Sequence, residues 1–94
     1  MNPHPPQELL EQTHSFPGRF VFKAIGRPAD DFASRVVAVV RLTLELDFDP
    51  PYELKETAAG RHVSVTVEPQ VETSQQVIDI YSAIRNLEGL VMLL

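Results

Sequence analysis

Cysteine is absent from the 94 residues, and that omission removes structural disulfides, thiolate zinc sites, iron–sulfur ligation and thiol nucleophiles together. Clustered basic residues are missing as well. Lys and Arg number 8 against 13 Asp and Glu, for a net charge of −5, and the cations are scattered singly. Phosphate binding relies on grouped cations that release counterions, so the sequence argues against a nucleic-acid partner. No stretch approaches the ~20 apolar residues of a membrane span. The opening MNPHPPQELL has neither the basic start nor the apolar run of a secretory signal. These absences lead us to expect a cytoplasmic protein with no membrane partner.

Histidines with metal-ligand spacing are also lacking. His4 and His14 fall in the N-terminal segment, His62 stands alone, and no HxxxH, HExxH or paired-carboxylate pattern lies on an expected element. Ser64 and His62 are two residues apart on one strand face, where side chains run parallel about 7 Å apart, too far for a nucleophile–base hydrogen bond. The expectation is a protein that is not an enzyme and needs no metal or cofactor.

What is present is enough apolar material, 44% of residues, for one core in one domain. Residues 1–17 hold four of the eight prolines and read as a flexible arm, within which 6–13 could form a short helix docked through Leu9 and Leu10. Residues 18–94 read as the single folded domain.

The stretch RFVFKAIG, residues 19–26, alternates Phe20, Phe22 and Ala24 with Val21, Lys23 and Ile25, the period of a strand with its aromatic side buried. Gly26, Arg27 and Pro28 stop it, glycine supplying backbone freedom. Asp30 and Asp31 suit a helix N-terminus, and Phe32, Val36, Val39 and Val40 make one apolar stripe, predicting a helix over 29–42. Residues 52–56 predict a short strand and 57–60 a hairpin loop. Over 61–68, Val63, Val65 and Val67 alternate with His62, Ser64, Thr66 and Glu68 in a strand with one wet face, ended by Pro69. Thr73 with Gln76 matches a capping box, and Val77, Ile80, Tyr81 and Ile84 predict a helix over 74–86. Residues 90–94 form a last strand.

The order βαββαβ, with right-handed crossovers, predicts an α+β ferredoxin-like fold: a four-stranded antiparallel sheet in spatial order 4-1-3-2 with both helices on one face. The uncovered face would then display Val21, Lys23 and Ile25, His62, Ser64 and Thr66, and Val91 and Leu93. These positions lack the stacking aromatics of an RNA-recognition sheet. An apolar patch beside an apolar edge strand suits a protein partner or self-association, possible dimerisation included. Lys23, at its centre, also fits a solvated lysine whose stem covers apolar neighbours.

The run Phe16-Pro17, Phe20-Val21-Phe22-Lys23, Gly26, the valine stripe, Gly60, the 62–67 strand, Val77 with Tyr81 and the 90–94 ending resembles the YbeD-like family of small bacterial proteins of unknown function. The resemblance covers 16–94. It implies a ferredoxin-like fold similar to ACT regulatory domains, with no catalytic residues to carry over. ACT domains bind small ligands, often amino acids, near the loop between first strand and first helix. By that analogy Gly26, Arg27, Asp30 and Asp31 are the candidate ligand site for a small metabolite. The functional expectation is a regulatory or adaptor domain acting through the open face, with a metabolite sensor at this turn as the alternative.

Overall fold

Val63, Val65 and Val67 turn to one side of their strand and all three are buried, which marks that side as the core. The computed structural model describes residues 6–94; Pro3, His4 and Pro5 lie outside the described residues. Along the chain run α1 (Gln7–Thr13), β1 (Gly18–Arg19), β2 (Phe22–Gly26), α2 (Phe32–Thr43), β3 (Tyr52–Glu56), a 3-10 turn (Ala58–Gly60), β4 (Val63–Val67), β5 (Gln70–Val71), α3 (Ser74–Arg85) and β6 (Leu90–Leu93).

Strands β3, β4, β2 and β6 form one antiparallel sheet in that spatial order, so β2 and β4 are interior and β3 and β6 are edges. Helices α2 and α3 lie together over the valine side. Phe32, Val36, Val37 and Val40 of α2 and Val77, Ile80 and Ile84 of α3 are buried there against Phe22, Ala24, Val65 and Val67. Each large side chain so removed from water contributes about 1.5–3 kcal/mol. Val37, not Val39, completes the α2 stripe, while Val39 is half-buried.

Several sequence expectations need correcting. The first strand is not continuous from residue 19: Gly18 and Arg19 pair with Val71 and Gln70 in a separate two-stranded ribbon, and the ladder of the main sheet starts at Phe22. Phe20 still donates its N–H to the Pro69 carbonyl at 3.1 Å, so Pro69 ends β4 without ending the pairing. The first helix begins at Phe32, three residues later than expected, because Asp30 and Asp31 both take left-handed backbone angles (φ 55° and 53°). The chain turns through them before helical geometry begins.

The arm is also not loose where it is described. Residues 7–13 adopt the helical alternative, and Leu10 is 2% exposed in the core. The contact is anchored by a buried polar group: Ser74 Oγ accepts from Gln7 Nε2 at 3.0 Å and donates to Glu11 Oε2 at 2.6 Å. Ser74 opens α3, whose expected cap is present, Gln76 N–H donating to Thr73 Oγ1 at 3.2 Å. The Gln76 side chain accepts from Glu72 N–H at 2.6 Å, one residue before the partner a strict capping box would use.

Past the arm, aromatic rings fill one end of the core. Phe20 and Phe22 lie 5.0 Å apart, the Tyr81 ring meets Phe22 edge-on at 5.1 Å, and His14 packs on Phe20 at 4.7 Å. Burial pushes the Tyr81 phenol above its ordinary value of 10.0, because the charged phenolate loses hydration there. The native state therefore holds this proton more tightly than the unfolded chain, and the stability linked to it is lost as the pH rises past the unfolded value. We expect the melting temperature of the wild-type protein to fall more steeply than that of Tyr81→Phe above about pH 10. Parallel curves in thermal unfolding across that range would contradict it.

Candidate functional site

Two regions hold the residues singled out from the sequence: the turn from β2 into α2, and the sheet face that the helices leave open. The turn is built on a close approach. A Cβ on Gly26 would sit 2.4 Å from the Phe32 ring, so the ring rests directly on the strand backbone, and no side chain but hydrogen fits beneath it. Gly26 has no positive φ among the backbone angles; its requirement is space, not the conformational freedom expected from sequence. Gly89, at φ 91°, approaches the same ring from the α3–β6 turn.

Arg35 holds these two turns together. Its Nε donates to the Asp30 carbonyl at 2.8 Å, its Nη1 to the Glu88 carbonyl at 3.1 Å, and its guanidinium lies 5.7 Å from the Phe32 ring centre. Arg27 N–H adds a bond to the Gly89 carbonyl at 2.9 Å. Sequence reasoning missed Arg35, which sits inside a helix at no special spacing. Its one sequence signal is position, a turn beyond Phe32 on the same helix face.

Of the expected ligand residues, Arg27 and Asp30 border a surface hollow of about 230 Å³ with Arg35 and Glu88. Gly26 lies under Phe32 and faces no open space on that side. Asp31 serves as the helix N-cap position, but its side chain makes no capping hydrogen bond. The hollow is lined by two arginines and two acidic residues, Arg27 and Arg35 with Asp30 and Glu88, and Arg35 already commits Nε and Nη1 to carbonyls. Among the described residues no group of three His, Asp or Glu side chains is arranged to hold a metal ion.

On the open face, the register sets Lys23 beside Thr66, Thr66 beside Glu53, and in the next row Ile25 beside Ser64 and Ser64 beside Lys55. Lys23, Ile25, Ser64 and Thr66 thus share one surface, as expected, with Val21 exposed just before it. Ser64 is only 9% exposed, its short side chain shaded by longer neighbours. The last strand is corrected: Ile25 pairs with Met92, and Lys23 and Leu94 exchange backbone hydrogen bonds at 3.2 and 2.8 Å. Met92 and Leu94 therefore occupy the open face. Leu93 lies opposite Ala24 and packs against the core, and Val91 falls at the irregularity where the register shifts beside Gly26. Five consecutive apolar residues carry no alternation from which to choose a face, and one residue of slip exchanges them all.

Val21, Met92 and Leu94 are 52%, 50% and 57% exposed. They rim Lys23 and Ile25 as an apolar border along one side of the sheet. Beyond them a hollow of about 320 Å³ opens among Lys23, Glu53, Lys55, Ser64 and Thr66. Glu53 and Lys55 were not singled out from the sequence, although their alternation with Tyr52, Leu54 and Glu56 was visible in it.

A family model described as "Protein of unknown function (DUF493)" matches residues 11–94. The chain belongs to this family. Among its relatives is a "UPF0250 protein" of Shewanella piezotolerans, 35% identical over 82 residues that cover 87% of this chain and 86% of the relative. A second, from Shewanella oneidensis, is 33% identical over the same shares. These are small bacterial proteins of unknown function, as the YbeD-like resemblance implied. The solution structure of HP0495 from H. pylori superposes with a TM-score of 0.68 at 18% identity, over 97% of this chain and 96% of that one. That likeness establishes a shared α+β fold.

The Phe32–Gly26 contact makes a direct prediction. Gly26→Ala should destabilise the protein by about 1–3 kcal/mol, the usual cost of overpacking. In Gly26→Ala with Phe32→Leu the two losses should add to less than their sum, because the smaller side chain vacates the space. Denaturant unfolding of the four proteins measures the coupling, and strict additivity would show that the ring does not depend on the bare glycine.

Proposed function

We propose that this protein is a non-catalytic regulatory or adaptor domain, ferredoxin-like in its βαββαβ plan and ACT-like in character, that binds a partner protein through its open sheet face in the cytoplasm. The observation that carries this reading is the apolar border of Val21, Met92 and Leu94 beside Ile25 and Lys23, exposed on the sheet face away from the helices. Exposed apolar patches rimmed by polar groups mark interaction surfaces. The partner that suits it presents apolar side chains with a carboxylate placed for Lys23.

The alternative, a sensor for a small amino-acid-like metabolite, draws on the hollow beside Arg27. Its cost is that Asp30 and Glu88 offset Arg27 and Arg35 in that hollow, leaving no net positive charge to draw an acid, and that Gly26 is lost to Phe32. The open face asks for no such compromise.

One comparison separates the two readings. Met92→Lys with Leu94→Lys should keep the fold, since both side chains are exposed, and weaken binding of the partner recovered with the wild-type protein by at least about tenfold. Recovery of no partner, or equal recovery by the variant, defeats the adaptor reading. A thermal-shift panel of amino acids and related acids serves as the other arm, because saturating ligand at ~100 times its dissociation constant adds ~2.7 kcal/mol. A reproducible shift that Arg27→Ala removes would favour the sensor.

A further inference from the structure

The edge strand β3 carries a pattern that the rest of the sheet does not use. All five residues of Tyr52–Glu56 are exposed. On one flank Glu68 N–H bonds to the Pro51 carbonyl and on the other Thr57 N–H bonds to the His62 carbonyl. Hydrogen-bonded pairs alternate along an antiparallel ladder, so Glu53 and Lys55 direct their backbone groups toward β4. Tyr52, Leu54 and Glu56 direct theirs outward, and among the described residues no element of the sheet lies beyond them.

We propose that two copies of this chain pair through β3, antiparallel about a two-fold axis at Leu54. In that register Leu54 faces Leu54 of the second copy, Tyr52 faces Glu56 of the second copy, and Glu53 faces Lys55 of the second copy. The outward N–H and C=O groups are the ones that meet, giving roughly six backbone hydrogen bonds. The Glu53–Lys55 pairs occupy the non-hydrogen-bonded positions, where side chains approach most closely. By symmetry there are two of them, both on the open face.

The charge order also rejects the neighbouring registers. A slip of two residues one way sets Glu53 against Glu53, and the other way Lys55 against Lys55, like charges directly opposite in each case. The strand is thus self-complementary in one register. The side facing the helices fits the same occupant: Tyr52 and Leu54 border a hollow of about 280 Å³ under Ala33 and Val37, closed at one end by the Arg41–Asp49 ion pair at 2.9 Å. Leu54 is 53% exposed there, and pairing would cover it with its own counterpart. The opposite edge, β6, lacks these features. Its ladder is broken beside Gly26, and an irregular edge is poorly suited to strand addition.

Sedimentation of the full chain from micromolar to millimolar concentration tests the proposal. The wild-type protein should show a concentration-dependent dimer. Glu53→Lys or Lys55→Glu alone should weaken it about tenfold, each replacing two attractive pairs by two repulsive ones. The double exchange should restore it, and an equimolar mixture of the two single variants should form a heterodimer. Leu54→Pro, which removes only an outward N–H, should abolish it, with circular dichroism showing the fold kept in every variant. A monomer over the whole range overturns the proposal, as does a dimer indifferent to the single exchanges. Loss of the dimer in Met92→Lys would move the contact to the other edge and overturn it too. Because Met92 and β3 lie at opposite edges, this result stands apart from the fate of the open-face reading.

Discussion

The ring of Phe32 lying on the bare backbone of Gly26 is the contact on which the remaining geometry turns. It fixes where α2 starts, since the chain must pass through two left-handed aspartates before Phe32 can reach down onto the strand. It also fixes the α3–β6 turn, because Gly89 comes against the other side of the same ring and Arg35 ties both turns by their carbonyls. A helix start, a strand end and a turn from the far end of the chain thus meet at one aromatic side chain. Isolated polar bonds at a surface would contribute little each; here they are organised by a buried ring, which excludes water from one side of them.

That arrangement divides the molecule's surfaces. The turn is consumed largely by its own packing, with Arg35 Nε and Nη1 engaged by carbonyls. Among the described residues the sheet's other face has no comparable cover. Its apolar border lies along β2 and β6, its charged strip along β3, and the two are separated by Lys23, Ser64 and Thr66. A surface so divided offers two different contacts on one sheet, an apolar one at one edge and a charge-patterned one at the other. The likeness to HP0495 gives this surface a shared α+β fold beneath it; its chemistry lies in the side chains.

Much of the architecture was legible because β4 and the two helices carry strong periodic patterns. Val63, Val65 and Val67 announced the core side of the sheet, and the helical stripes of α2 and α3 needed only the exchange of Val37 for Val39. The errors arose where periodicity was silent or where a local rule met a tertiary constraint. Asp30 and Asp31 looked like caps by residue type, but the demand of Phe32 drew them into left-handed turn geometry. Gly26 was identified as necessary for the wrong reason, since a contact with a residue six positions on leaves no trace in composition. Residues 90–94 are uniformly apolar, so the faces of Met92, Leu93 and Leu94 could be settled only by register. The docking of α1 depended on Ser74, a residue that sequence alone would leave as an ordinary helix-start serine.

The interior position of β2 has a consequence for how the chain assembles. Its two neighbours, reached at Val67 and Leu93, are far along the chain, and only β3 and β4 are joined by a short connection. Loop closure must therefore precede most of the sheet's pairing, which slows folding relative to helical proteins of similar size. The β3–β4 hairpin is the segment able to form early, and until β2 arrives it presents two open edges, of which β3 stays an edge of the folded single chain. A young chain of this kind would meet its own copies with that hairpin first, so the charge order along β3 bears on safe folding as much as on the finished molecule.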